Sequence, residues 1–279
     1  MSSQNENRGR HGFTLLELLV VLGILALLAA LVIPKLTDTY ERSRSATQAY
    51  STADIARQLE TYFALNHSYP DGWDMLMGTA GTIYDKLAPE VEAPNTFFQV
   101  QELTADQITS LNTAGIGHAF LHDATSAASN SGTDRRHFGT GTGHDGTANV
   151  NDFVVIDKTF TAGASGAAPT LGDGMDLLVN GFGLNPNRSA TDSTFARITA
   201  NTYVVLGLGP KSTLVQSTVH EAPLLEHRTS SSNYSRALAV FEVPNVGTTK
   251  ARLVGIFGPD GRSKSLSIAD YNSQTVQPH

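Results

Sequence analysis

Apolar positions along this chain fall into three rhythms. From Phe13 to Ile33 they are nearly continuous, and Glu17 is the only charged member of that stretch. As a helix the stretch would be about 31 Å long, the thickness of a bilayer's hydrocarbon core. From there to Asn66 the apolar residues recur at three- and four-residue steps, as Ala49, Ala53, Ala56, Leu59 and Phe63. That is the stripe of an amphipathic helix. Glu41, Arg44, Asp54, Arg57 and Glu60 lie opposite it at helical pairing distance. The pattern stops before Tyr69-Pro70-Asp71-Gly72, a turn signal. One helix over 13–66, roughly 80 Å long, is predicted.

Beyond the turn the rhythm becomes short and β-rich. Strands are predicted at 96–103, 152–157, 202–208, 236–243 and 251–257. Pro244-Asn245-Val246-Gly247 reads as the hairpin turn between the last two. Residues 104–115 read as a short helix with Thr104 as its N-cap. The stretch 124–150, rich in Gly, Ser and Thr, reads as a long mobile surface loop. Residues 161–174 read as a second loop. The expected fold is α+β: a long N-terminal helix packed on an antiparallel sheet head, with long loops. Its organisation is a leader at 1–12, the helix at 13–66 with a membrane-spanning first part at 13–33, and a head at 67–279.

Composition narrows the function. The chain of 279 residues has a net charge of −7 and no run of Lys and Arg, a poor electrostatic match for nucleic acid. It has no cysteine, so disulfides and thiolate metal sites are excluded. Arg8, Arg10 and His11 precede the apolar run. By the positive-inside rule the N-terminus stays in the cytoplasm and the head lies outside.

Glu17 separates three readings of the N-terminus. A signal anchor would let Glu17 snorkel to the interface. A cleaved secretory signal fits less well, because the run is long and no small-x-small site follows before Pro34. The third reading is cleavage before Phe13 and packing against copies of the chain. Cleavage would create a positive amine at Phe13, near the depth of Glu17. A carboxylate in the apolar zone costs about 2.5–3.5 kcal/mol and needs a partner. The amine of a neighbouring copy would serve, and the pairing would also fix axial register.

Gly12-Phe13-Thr14-Leu15-Leu16-Glu17 resembles the class III signal of type IV pilins and type II secretion pseudopilins. The resemblance implies cleavage after Gly12 by a membrane prepilin peptidase, which also N-methylates Phe13. It implies that Glu17 and Phe13 act in filament assembly. Pro34 matches the helix-kinking proline of the family. Residues 55–74, IARQLETYFALNHSYPDGWD, resemble the major pseudopilin over the helix end and the Tyr69-Pro70 step. The resemblance covers Gly12 to about Trp73. It implies an inner-membrane, single-pass precursor with a periplasmic head. Its partners would be prepilin peptidase, copies of itself, other pseudopilins and an inner-membrane assembly platform. A type IV pilus subunit for adhesion, motility or DNA uptake is the neighbouring alternative. A membrane-anchored periplasmic binding protein or enzyme is the alternative of another class.

Little else recommends chemistry. His118 and His122 are four apart, with His137 and His144 nearby. GHAFLH alternates as a strand, and no acidic ligand stands at the spacing of a zinc protease, so no metal ligand is assigned. The Gly139–Gly146 stretch lacks the Gly-Lys-Ser/Thr ending of a phosphate loop. Asp145, Asp152, Asp173 and Asp176 lie in Gly-rich stretches that suit calcium, an ion the resemblance also allows, with no ligand set assigned. No Gly-x-Ser-x-Gly elbow is present and no catalytic residue is expected.

Overall fold

In the computed structural model, residues 15–77, 82–83, 97–121, 134–139, 149–161, 170–184, 193–215, 217–222, 225, 234 and 236–258 are described. The chain divides into two compact units, Met1–Arg44 and Ser45–His279.

In the first unit the described residues belong to helix α1, Leu15–Asn66, which continues into the second. Leu and Ala dominate its opening turns, and both are strong helix formers. Helical backbone continues on both sides of Pro34. Thr39 donates its hydroxyl to the Lys35 carbonyl at 2.8 Å.

The second unit holds the rest of α1 and all the described strands. Its main sheet has nine strands. They are β1 (Trp73–Asp74), β2 (Phe98–Glu102), β3 (His118–Phe120), β4 (Arg135–Phe138), β5 (Asn149–Val150), β6 (Asp152–Ile156), β9 (Thr202–Gly207), β10 (Leu238–Val243) and β11 (Arg252–Phe257). A separate small hairpin pairs β7 (Phe160–Thr161) with β8 (Thr170–Leu171). The order is β11-β10-β9-β1-β3-β4-β5, and β6 branches from β9 to carry β2. Helix α2 is Ala105–Thr113, α3 is Asp173–Asp176 followed by a π-turn at Leu177–Gly181, and α4 is Ser193–Ala200.

The five expected strands and the short helix are present at β2, β6, β9, β10, β11 and α2. Thr104 caps α2 as anticipated: its hydroxyl accepts from Gln107 N–H, and the Gln107 side chain accepts from Thr104 N–H. The β10–β11 hairpin is antiparallel, with a register shift between Val240 and Phe241.

The structure differs from expectation in four places. Residues 135–138 and 149–150, placed in a mobile loop over 124–150, are strands β4 and β5. Only one face of β4 is sealed: Phe138 is buried edge-on against Phe153, with ring centroids 4.7 Å apart. The other face carries Arg135 and His137, so apolar content understates the order there. Likewise 170–171 and 173–174, within the loop expected over 161–174, belong to β8 and to the start of α3. The sheet is mostly rather than wholly antiparallel, since β1 pairs β3 and β4 pairs β5 in parallel. The stripe on α1 is rotated: Thr52, Ile55 and Leu59 are its most buried members, while Ala53 and Ala56 flank them. The larger side chain of Ile55, between Ala53 and Ala56, takes the core position.

The core of this unit joins Ile55 and Leu59 of α1 to the sheet and to α2. Trp73, its indole N–H donated to the Pro70 carbonyl at 2.5 Å, is fully buried and meets Phe241 edge-on. Gly72 has φ +77, and a side chain there would strike the Lys211 carbonyl, so the turn requires glycine.

Candidate functional site

The N-terminal helix is the first candidate. Glu17 stands in its first turn, where a carboxylate complements the positive end of the helix dipole. Around it Leu15, Leu16, Leu18, Leu19, Val20, Val21, Leu22 and Ile24 are all exposed, so the apolar surface runs round the whole helix. A helix apolar on every side belongs against lipid or against other helices. Among the described residues, no helix is long and apolar enough to cross a membrane. Gly12 and Phe13 lie outside the described residues, and Pro34 lies within α1.

The head brings together polar groups that the sequence reading had not connected. The first centres on Asp71, in the turn after α1. Its Oδ1 accepts from Gly117 N–H at 3.0 Å and from His118 N–H at 2.7 Å. Its Oδ2 meets His118 Nδ1. Its backbone N–H donates to Thr213 Oγ1 at 2.8 Å, and its carbonyl accepts from Thr213 N–H at 2.9 Å. His118 is the cross-strand partner of His137, with ring centroids 4.1 Å apart. His118–Phe120 of GHAFLH are strand β3, as the alternation implied, and His122 and His144 lie outside the described residues.

The calcium candidates are not gathered into a described site. Asp152 opens β6, Asp173 and Asp176 sit on α3, and Asp145 lies outside the described residues. Among the described residues, no three His, Cys, Asp or Glu groups are placed to hold a metal.

Two buried networks complete the head. Tyr234 donates its hydroxyl to Asp74 Oδ2 at 3.0 Å, and both side chains are fully buried. Burial, then the negative charge of Asp74, pushes the Tyr234 phenol well above its ordinary range. Gly207 makes room for this contact: a Cβ there would lie 1.9 Å from the Tyr234 hydroxyl. The second network surrounds Glu242 on β10. Arg197 of α4 grips its carboxylate from the side, Nε to Oε1 at 2.8 Å and Nη2 to Oε2 at 2.6 Å. Arg252 of β11, its cross-strand partner, adds a contact from Nε to Oε2. Asn201 donates to Oε1 at 2.6 Å, and the Tyr203 hydroxyl at 3.3 Å. Burial and the Glu242 charge raise the Tyr203 phenol, and the hydrogen bond to Glu242 raises the Arg197 guanidinium. A charged residue inside the otherwise apolar strand LAVFEV, with Arg252 across the turn, was the available sequence signal for this pair.

These networks fasten elements to one another, and none presents a nucleophile beside a base. Comparison with known proteins points to the other end of the chain. No curated protein matches it, and neither does any solved structure. Residues 7–33 match the family model described as the prokaryotic N-terminal methylation motif, a type IV pilin-like signal.

Proposed function

We propose that this protein is a structural subunit of a type II secretion pseudopilus, made as a prepilin-like precursor in the inner membrane. The observation that carries the reading is the methylation motif at 7–33 leading into a helix that is apolar on every exposed side. In this reading residues 1–12 are a cytoplasmic leader, prepilin peptidase cuts between Gly12 and Phe13, and Phe13 is N-methylated. Residues 13–33 hold the precursor in the membrane and later form the filament core. Glu17 neutralises the Phe13 amine of a neighbouring copy and sets the axial register, because a displaced copy would leave both charges in an apolar surround. Pro34 lacks a backbone donor, which makes the helix easiest to bend there. Residues 67–279 form the periplasmic head of a pilin-like fold. The Tyr69-Pro70 step and the lack of cysteine support the pseudopilin over a pilus subunit whose C-terminal loop is closed by a disulfide. The partners are copies of the chain, other pseudopilins and the assembly platform, and the work is mechanical rather than catalytic.

The decisive experiment is intact mass with N-terminal peptide mass spectrometry on protein from the native membrane. A chain beginning at N-methyl-Phe13 is expected. A chain that keeps its first residues while the peptidase is active in the same cells would overturn the reading. Glu17→Gln should then leave cleavage intact and abolish incorporation into filaments; normal incorporation would restrict the function to that of an anchor.

A further inference from the structure

The Glu242 network has an imbalance of charge that fastening α4 to the sheet does not require. Two guanidiniums, Arg197 and Arg252, share one carboxylate. Glu242 is 2% exposed, whereas the arginine side chains are 45% and 52% exposed. The carboxylate is sealed and its two cations face water. A third cation lies one residue further: Lys158 Nζ donates to the Thr199 carbonyl at 2.9 Å and to the Asn201 carbonyl at 2.5 Å, and Asn201 itself donates to Glu242. Burial lowers the Lys158 ammonium. Among the described residues, Glu242 is the carboxylate bonded to Arg197. Arg197 and Arg252 against Glu242 leave one positive charge over at the fork, in a chain of net charge −7.

The donor inventory agrees. A guanidinium carries five N–H groups. Arg197 uses Nε and Nη2 on Glu242, and Arg252 uses Nε. That leaves Nη1 of Arg197 and both Nη groups of Arg252 with no hydrogen bond among the described residues. Glu242 holds both forks in place, so their ordering is complete before any ligand arrives. Planar forks fixed in this way suit the bidentate geometry of carboxylates and phosphates.

We propose that Arg197 and Arg252, clamped on the buried carboxylate of Glu242, form a binding site for one oxyanion group, a carboxylate or a phosphate. The site lies on the sheet face that carries Tyr203 and Glu242, since these cross-strand partners share a side. It does not depend on how the N-terminal helix is used.

The test is titration of the full chain in detergent micelles with sodium acetate and with inorganic phosphate, against sodium chloride at equal ionic strength. The readout is the Nε–H resonances of Arg197 and Arg252 by NMR, assigned through the variants. Saturable shifts beyond those in chloride are expected. Acetate alone would identify a carboxylate site and phosphate alone a phosphate site; a response to both supports a general oxyanion site. Arg252→Gln keeps the paired grip of Arg197 on Glu242 and should weaken binding about tenfold, the worth of one charged hydrogen bond. Arg252→Lys, which keeps the charge and loses the fork, should fall between and remain folded if the glutamine variant does not. No response beyond chloride, or an equal response in wild type and Arg252→Lys, overturns the proposal.

Discussion

Leu15 and Leu59 belong to one helix, yet the first is 85% exposed and the second fully buried. Helix propensity cannot distinguish them, since both are leucines in unbroken helical backbone. The difference is what stands opposite. Leu59 meets the sheet and α2 within its own unit, so its burial is settled by this chain alone. The apolar side chains from Leu15 to Ile24 stay exposed within theirs. An apolar surface of that extent marks a membrane or protein contact. One region therefore tests folding and the other tests association, and substitutions can separate the two.

The largest effect on the head should come from Glu242→Ala, which leaves Arg197 and Arg252 without their shared carboxylate. A loss of about 3–5 kcal/mol is expected for breaking a buried pair, at the low end because both arginines retain access to water. It would be read as a shift in urea midpoint by Trp73 fluorescence. Leu59→Ala should cost about 2–5 kcal/mol by the same measurement. Leu22→Ala, the matched change in the exposed region, should leave the midpoint where it is; equal losses at the two sites would erase the distinction between the regions.

Alkaline titration gives a smaller effect. The Tyr203 and Tyr234 phenols are raised by burial and by their carboxylates. Below about pH 10 they are protonated in folded and unfolded chains alike, and their contribution is intact. Above it the unfolded chain ionises first, so head stability should fall as pH climbs toward the raised folded values. Urea midpoints from about pH 8 to 11 would show the decline, and Tyr203→Phe should make it shallower. Smallest is Thr104→Ala, which removes the cap of α2 and should cost about 0.5–2 kcal/mol.

Much of this was legible because single segments announced it. The β-rich apolar runs DFVVI and TYVVLG, the cap Thr104 with Gln107, and the helix end before Tyr69-Pro70 are local signals. The match to the methylation motif at 7–33 is local as well. What escaped depends on distance along the chain. Asp74 meets Tyr234 and Asp71 meets His118 only because the sheet brings β1 between β9 and β3. At two residues, β1 is too short for any periodicity to reveal. β4 was hidden by its outward arginine and histidine. The glutamate of LAVFEV was visible, but its arginine on α4 lies far away in sequence.

The knot at Asp71 has a mechanical meaning. Tension on the end of α1 within the head would reach the sheet through a few short bonds. Tyr69 N–H holds the Ala114 carbonyl at 2.7 Å, the Asp71 backbone holds Thr213, and the Asp71 carboxylate holds Gly117 and His118. These bonds anchor one short turn to two separate segments of the head, so a pull divides among them instead of opening them one at a time. The turn is a rivet plate. Parting helix from sheet means breaking these bonds as well as the Ile55 and Leu59 contacts, so Asp71 adds grip while contributing almost nothing to the hydrophobic core.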